Sequence, residues 1–132
     1  MTEAAVPPAT STGVGSPPIV LLHAFPLDGR MWAPQVDALA PHYQVVVPDL
    51  RGFGAAREQA VEVAEMGLMA QDLARLLDDL ALDQVVACGV SMGGYVALAF
   101  ALGHPGRLRG LVLARTNPRS RDGCRRANAN DT

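Results

Sequence analysis

Val85-Val86-Ala87-Cys88-Gly89-Val90-Ser91-Met92-Gly93-Gly94-Tyr95-Val96-Ala97-Leu98-Ala99-Phe100-Ala101-Leu102 is the stretch on which the fold turns. Its opening is an apolar, valine-rich run that reads as a strand, and the segment from Tyr95 to Leu102, free of Gly and Pro, reads as a helix. Between them stands G-x-S-x-G, with Gly89 and Gly93 on either side of Ser91. Small residues flanking a serine permit a strained turn that lifts its hydroxyl above the end of a sheet, beside the amino terminus of the next helix. A serine so placed points to acyl transfer, with Ser91 as candidate nucleophile.

Outward from this stretch, short apolar runs alternate with longer amphipathic ones, the pattern of an α/β protein with a parallel sheet. Ile19-Val20-Leu21-Leu22 reads as a strand buried on both faces, followed by a loop over 23–29 and a short helix from Arg30 to Leu39. Tyr43 to Val47 is the next strand, closed by Pro48, and Asp49 to Gln59 is a glycine-bearing loop. From about Val63 to Leu80, Met69, Leu73, Leu76, Leu77 and Leu80 recur at steps of three and four, with Asp72, Arg75, Asp78 and Asp79 between them as the polar face. A last strand falls at Leu111-Val112-Leu113. Residues 1–18 read as a flexible arm, 19–114 as the folded part and 115–132 as a disordered tail.

The 132 residues, 49% hydrophobic and 18% charged, describe one globular piece. A net charge of −2, with no basic cluster on a periodic segment, gives no reason to expect nucleic acid or an anionic membrane as partner. Cys88 and Cys124 lack metal-ligand spacing, so neither a zinc site nor a disulfide framework is indicated, and no metal or cofactor is expected. No basic segment followed by an apolar core opens the chain, and no apolar run is long enough to span a membrane. A cytoplasmic location is the resulting expectation. The glycines do not fit G-x-G-x-x-G, which argues against a dinucleotide.

Two further motifs stand in order before the serine. His23-Ala24-Phe25-Pro26 follows the first strand, and Asp49-Leu50-Arg51-Gly52-Phe53-Gly54 follows the second. Together with the G-x-S-x-G turn they resemble the α/β-hydrolase family over about Pro18 to Ala114. The first is similar to the family's H-G-x-P loop with alanine for glycine, and the second to its D-x-x-G-x-G loop. The resemblance implies a partial α/β-hydrolase core of about four parallel strands, in spatial order second-first-third-fourth, with helices on both faces. It implies that Phe25 and Met92 offer backbone N–H groups to an oxyanion, and that Gly89, Gly93 and His23 support the elbow and its loop. It also implies a small ester or acyl substrate. Serine at position 91 disfavours the family's dehalogenases, which carry aspartate there.

A serine needs a base. His104 lies about 20 Å down the helix from Ser91 at about 1.5 Å per residue, and His42 precedes the second strand, at the far edge of a parallel sheet. His23 stands on the correct edge, either as an organiser of its loop or as the base of a dyad with Ser91. Asp49 and Arg51 read as loop-ordering residues, and Met31, Trp32 and Phe53 as packing or pocket-mouth residues. The family's acid and histidine come later in the chain, whereas the arginine-rich run from Arg115 suggests a frameshifted or shortened coding sequence at about Ala114, with a natural solvated tail as the alternative. Two functions follow: an ester-type serine hydrolase impaired for want of its base, or a non-catalytic fragment or interaction module. A half-covered sheet would expose Val85 to Cys88 and Leu111 to Leu113, so self-association through an open edge or face is expected.

Overall fold

Valine-rich runs fit a pleated, buried surface better than a helix, and among the described residues five extended segments form one sheet: β1 (Ala9–Thr12), β2 (Ile19–Leu22), β3 (Val45–Pro48), β4 (Val85–Val90) and β5 (Leu108–Ala114). The computed structural model describes residues 3–59 and 66–117. The strands lie in the order β1-β3-β2-β4-β5. β3, β2, β4 and β5 are parallel, in the order expected from the sequence. The α/β class is thus as read from the alternation of elements.

One strand is additional. β1 pairs antiparallel with β3, Thr10 opposite Val47 and Thr12 opposite Val45, so residues 9–12 are not the flexible arm expected for 1–18. All four residues of β1 are exposed, so the segment carries no buried–exposed alternation to betray a strand. Farther upstream the chain is also tied down. Ala5 N–H donates to Asp72 Oδ1 at 2.8 Å, and Arg51 Nη2 donates to the Glu3 carbonyl at 3.0 Å.

Among the described residues three α-helices cover the sheet: α1 (Ala33–Leu39), entered through a 3-10 turn at Gly29–Trp32, α2 (Met66–Asp79) and α3 (Met92–Gly103). The part of the second expected helix over 63–65 lies outside the described residues. On one face α2 and α3 bury Met69, Leu73, Leu77, Val96 and Phe100 against Val20, Leu22, Val85 and Ala87. Phe100 is fully out of water, which stabilises the fold by about 2–3 kcal/mol in transfer free energy alone. On the other face Trp32 packs on Leu21, Val45 and Val47, with Val36 and Leu39 of α1 at the margin.

Coverage is uneven at the β5 edge. Val85 and Ala87 are fully buried beneath the helices, so of the expected exposure of Val85 to Cys88 only a partial one remains, at the half-buried Val86 and Cys88, whereas Leu111 and Val112 are 38% and 50% exposed. Along β4–β5, Val85 is opposite Leu108 but Val86 is opposite Gly110, so Arg109 is the extra residue of a bulge. No helix among the described residues is long and apolar enough to cross a membrane.

Candidate active site

Ser91 joins the end of β4 to the start of α3 with φ 54° and ψ −112°, a conformation rarely adopted outside glycine, which costs on the order of 1–3 kcal/mol and persists only where the surroundings enforce it. They do. Its N–H donates to the Ala114 carbonyl at 3.0 Å, and its own carbonyl accepts the Tyr95 N–H at 3.1 Å. The turn also needs its glycines: a Cβ at Gly89 would strike the backbone of Gly93, and one at Gly93 would strike the carbonyls of Leu22 and His23. That crossing, α3 against the end of β2, is why G-x-S-x-G reads so clearly in the sequence.

α3 begins at Met92, so the N–H of that residue is among the first-turn donors that have no carbonyl within the helix. The positive end of the helix dipole adds to its affinity for negative charge. Residues 115–117, expected in the tail, support this turn instead. Thr116 Oγ1 donates to the Ala114 carbonyl at 2.9 Å, and Asn117 N–H approaches the Tyr95 hydroxyl at 3.5 Å. A Cβ at Gly94 would collide with the Thr116 side chain. The remainder of the expected tail, 118–132, lies outside the described residues.

The two loops expected beside the serine are stitched to each other. Asp49 accepts the Gly29 N–H through Oδ1 at 2.8 Å and the Ala55 N–H through Oδ2 at 2.9 Å, which joins the loop after β2 to the loop after β3. Gly54, at φ 54°, leaves room for that carboxylate. Arg51 is more than loop-ordering. It forms a buried two-pronged ion pair with Asp72 of α2, Nε to Oδ2 at 2.9 Å and Nη2 to Oδ1 at 2.8 Å. The carboxylate beside it raises the guanidinium pKa further. Asp72 therefore does not belong to the solvated face of α2, although Arg75, Asp78 and Asp79 do.

His23 is fully buried. Its Nε2 accepts the Leu50 N–H at 2.9 Å and its Nδ1 lies 3.1 Å from the Ala24 carbonyl oxygen. Burial holds its pKa below the ordinary value, against the opposing pull of the Ala24 carbonyl, Asp49 and Asp28. With both ring nitrogens engaged elsewhere, the dyad with Ser91 is not formed. His42 is exposed ahead of β3 with its ring near Tyr43, and His104 follows α3, stacked on Phe100 at 5.0 Å. Among the described residues none of these histidines is hydrogen-bonded to the Ser91 hydroxyl.

Phe25 is exposed by 67%, and its ring meets Phe53 edge-on at 5.6 Å; Phe53 meets the His23 ring in the same way at 5.6 Å. Met31 Sδ accepts the Ala24 N–H at 3.4 Å, and Trp32 is core, so both pack rather than line a mouth. Burial pushes the Cys88 thiol up, away from thiolate chemistry. Among the described residues no cluster of three His, Cys, Asp or Glu side chains could hold a metal. A groove of about 440 Å³ lies between β1 and α1, lined by Ala9, Thr10, Ala33, Val36 and Val47, and Ser91 is not part of it.

Comparisons with known proteins converge on this architecture. A family model described as the alpha/beta hydrolase fold matches residues 17–128. The chain is 36% identical over 106 residues to a pimeloyl-[acyl-carrier protein] methyl ester esterase of Yersinia enterocolitica, covering 80% of this chain and 39% of the relative. Among solved structures, a thermophilic esterase from Thermogutta terrifontis is 45% identical with a TM-score of 0.78, over 87% of this chain and 43% of that one. An esterase from a marine microorganism is 26% identical with a TM-score of 0.82 over the same shares. The chain thus spans about two fifths of the length of the relatives it matches.

Proposed function

The chain belongs to the α/β-hydrolase fold family, and from that premise we propose that it carries the nucleophile and oxyanion hole of a serine hydrolase acting on carboxylic esters. Ser91 Oγ attacks the ester carbonyl as its proton passes to solvent water, the N–H groups of Phe25 and Met92 receive the oxyanion, and departure of the alcohol, its oxygen protonated from solvent, leaves an acyl group on Ser91 that water removes. Each such donor contributes roughly 3–4 kcal/mol to the barrier reduction. The observation that carries the reading is the backbone of Ser91 itself, held at φ 54° between β4 and α3. A strained, non-glycine turn at a helix amino terminus has little structural use that glycine would not serve better. The ester class rests on the esterases among the relatives.

The hydroxyl proton needs an acceptor, and His23, His42 and His104 do not provide one. Loss of the base from such a site costs on the order of 10⁶-fold in turnover. The 132-residue chain by itself is therefore a slow hydrolase. Hydrolysis of a chromogenic short-chain ester, compared between the unaltered chain and Ser91→Ala, tests the proposal: serine-dependent turnover supports it, and identical rates reject it.

The placement of the three histidines also favours a second reading, in which the chain is a non-catalytic interaction module that presents its open β5 edge to another polypeptide. The same assay separates the two, since this module would show no dependence on Ser91.

A further inference from the structure

A backbone N–H can only donate, so the 2.9 Å contact from Leu50 N–H requires a lone pair on His23 Nε2. The ring proton therefore sits on Nδ1, which donates to the Ala24 carbonyl oxygen 3.1 Å away. That oxygen also accepts the Leu27 N–H at 2.9 Å. Both of its acceptor positions are used, and the Ala24–Phe25 peptide plane cannot turn without breaking a bond. This peptide is trans. Its C=O and N–H point in opposite directions from one rigid plane, so fixing the Ala24 oxygen fixes the direction of the Phe25 N–H. Bonds accepted by the carbonyl also polarise the amide and strengthen its donor. The imidazole has no freedom to swing away, being fully buried and edge-on to Phe53.

We propose that His23 is a positioning residue for the oxyanion hole: as the neutral Nδ1–H tautomer it links the Leu50 N–H to the Ala24 carbonyl, and so aims and polarises the Phe25 N–H. The catalytic consequence rests on the reading of Phe25 as an oxyanion donor; the relay itself is a property of the ring and its partners. The His23 motif thus acts on the oxyanion through the peptide that follows it, without touching substrate. Asparagine at this position keeps a donor near Nδ1, whereas glutamine keeps an acceptor near Nε2. The two variants therefore separate aiming from mere loop support.

Nitrogen NMR of the histidine-labelled, unaltered chain makes the first test. The expected result is an Nδ1–H ring at neutral pH with coupling across the Leu50 N–H to Nε2 bond; an Nε2–H or charged ring overturns the proposal, whether or not any variant folds. The second test follows binding of butylboronic acid by boron NMR in the unaltered chain, His23→Asn, His23→Gln and Ser91→Ala. His23→Gln is expected to weaken binding at least about tenfold more than His23→Asn, part of the 10²–10³ that loss of a whole donor costs, and to displace the Phe25 amide resonance. Equal weakening, or equal displacement of that resonance, overturns the aiming role. Boronate binding that survives Ser91→Ala, or is absent from the unaltered chain, rejects the serine reading instead, and the tautomer and the Phe25 resonance still decide the relay.

Discussion

Replacing Asp72 by alanine strips the counterion from a guanidinium that is almost wholly out of water. The Arg51 and Asp72 side chains retain 6% and 4% of their exposure. Two charge-assisted hydrogen bonds join them, at 2.9 and 2.8 Å. The same carboxylate accepts the Ala5 N–H at 2.8 Å. The substitution thus leaves one buried charge and one backbone donor unpaired. Removing a single partner from such a pair costs about 3–5 kcal/mol, against a total stability on the order of 5–15 kcal/mol. Roughly a fifth or more of the fold's stability is therefore at stake. The control is the double variant Arg51→Met with Asp72→Leu, which leaves no buried charge; it still forfeits the bonds to the Ala5 N–H and the Glu3 carbonyl, and is expected to cost clearly less than Asp72→Ala alone. Urea unfolding followed by circular dichroism measures the energies, and amide exchange at Ala5 reports release of the upstream segment. A loss below about 1 kcal/mol for Asp72→Ala, or a double variant as damaged as the single one, would refute the reasoning.

Gly93→Ala drives a Cβ into the Leu22 and His23 carbonyls and is expected to cost about 1–3 kcal/mol in urea unfolding. Because burial depresses the His23 pKa below 6.5, the unfolded chain binds the extra proton first. Stability is then expected to fall as pH drops below about 6.5, by at most about 1.4 kcal/mol per unit until the folded ring titrates. Melts of His23→Asn should lack that slope. Asp28, held down to about 2 by Arg30, acts in a separate window below 3.8, where acid removes its contribution. Val112→Lys, on the half-exposed edge strand β5, is expected to reduce concentration-dependent self-association in sedimentation velocity.

The parallel strands were legible because each is a valine- or leucine-rich run closed by a turn residue, and α2 because its leucines keep the helical period. β1 was not, since Ala9, Thr10, Ser11 and Thr12 are exposed and their pairing with β3 is decided across the sheet. Asp72 illustrates a second limit. Periodicity assigns any aspartate between leucines to solvent, and its partner Arg51 lies 21 residues away in a loop, so no local pattern marks the pair. At the site, the glycines around Ser91 announced the turn because each closes a backbone crossing. The support from Thr116, and the engagement of both His23 nitrogens, depend on contacts between loops that sequence spacing does not encode. Two aspartates read as ordinary loop and helix residues, Asp49 and Asp72, turn out to fasten four segments to one another: the upstream stretch at Ala5, the loops after β2 and β3, and α2.

Acyl transfer to Ser91 tests the central claim most directly. The chain is mixed with an activated acetate ester, digested, and the peptide containing Ser91 is weighed by mass spectrometry. The expected result is an acetyl group on Ser91 that accumulates, because water is poorly activated to remove it, and that is absent from Ser91→Ala. An unmodified Ser91, or acetylation that is indifferent to the substitution, would contradict the assignment of this serine as a nucleophile.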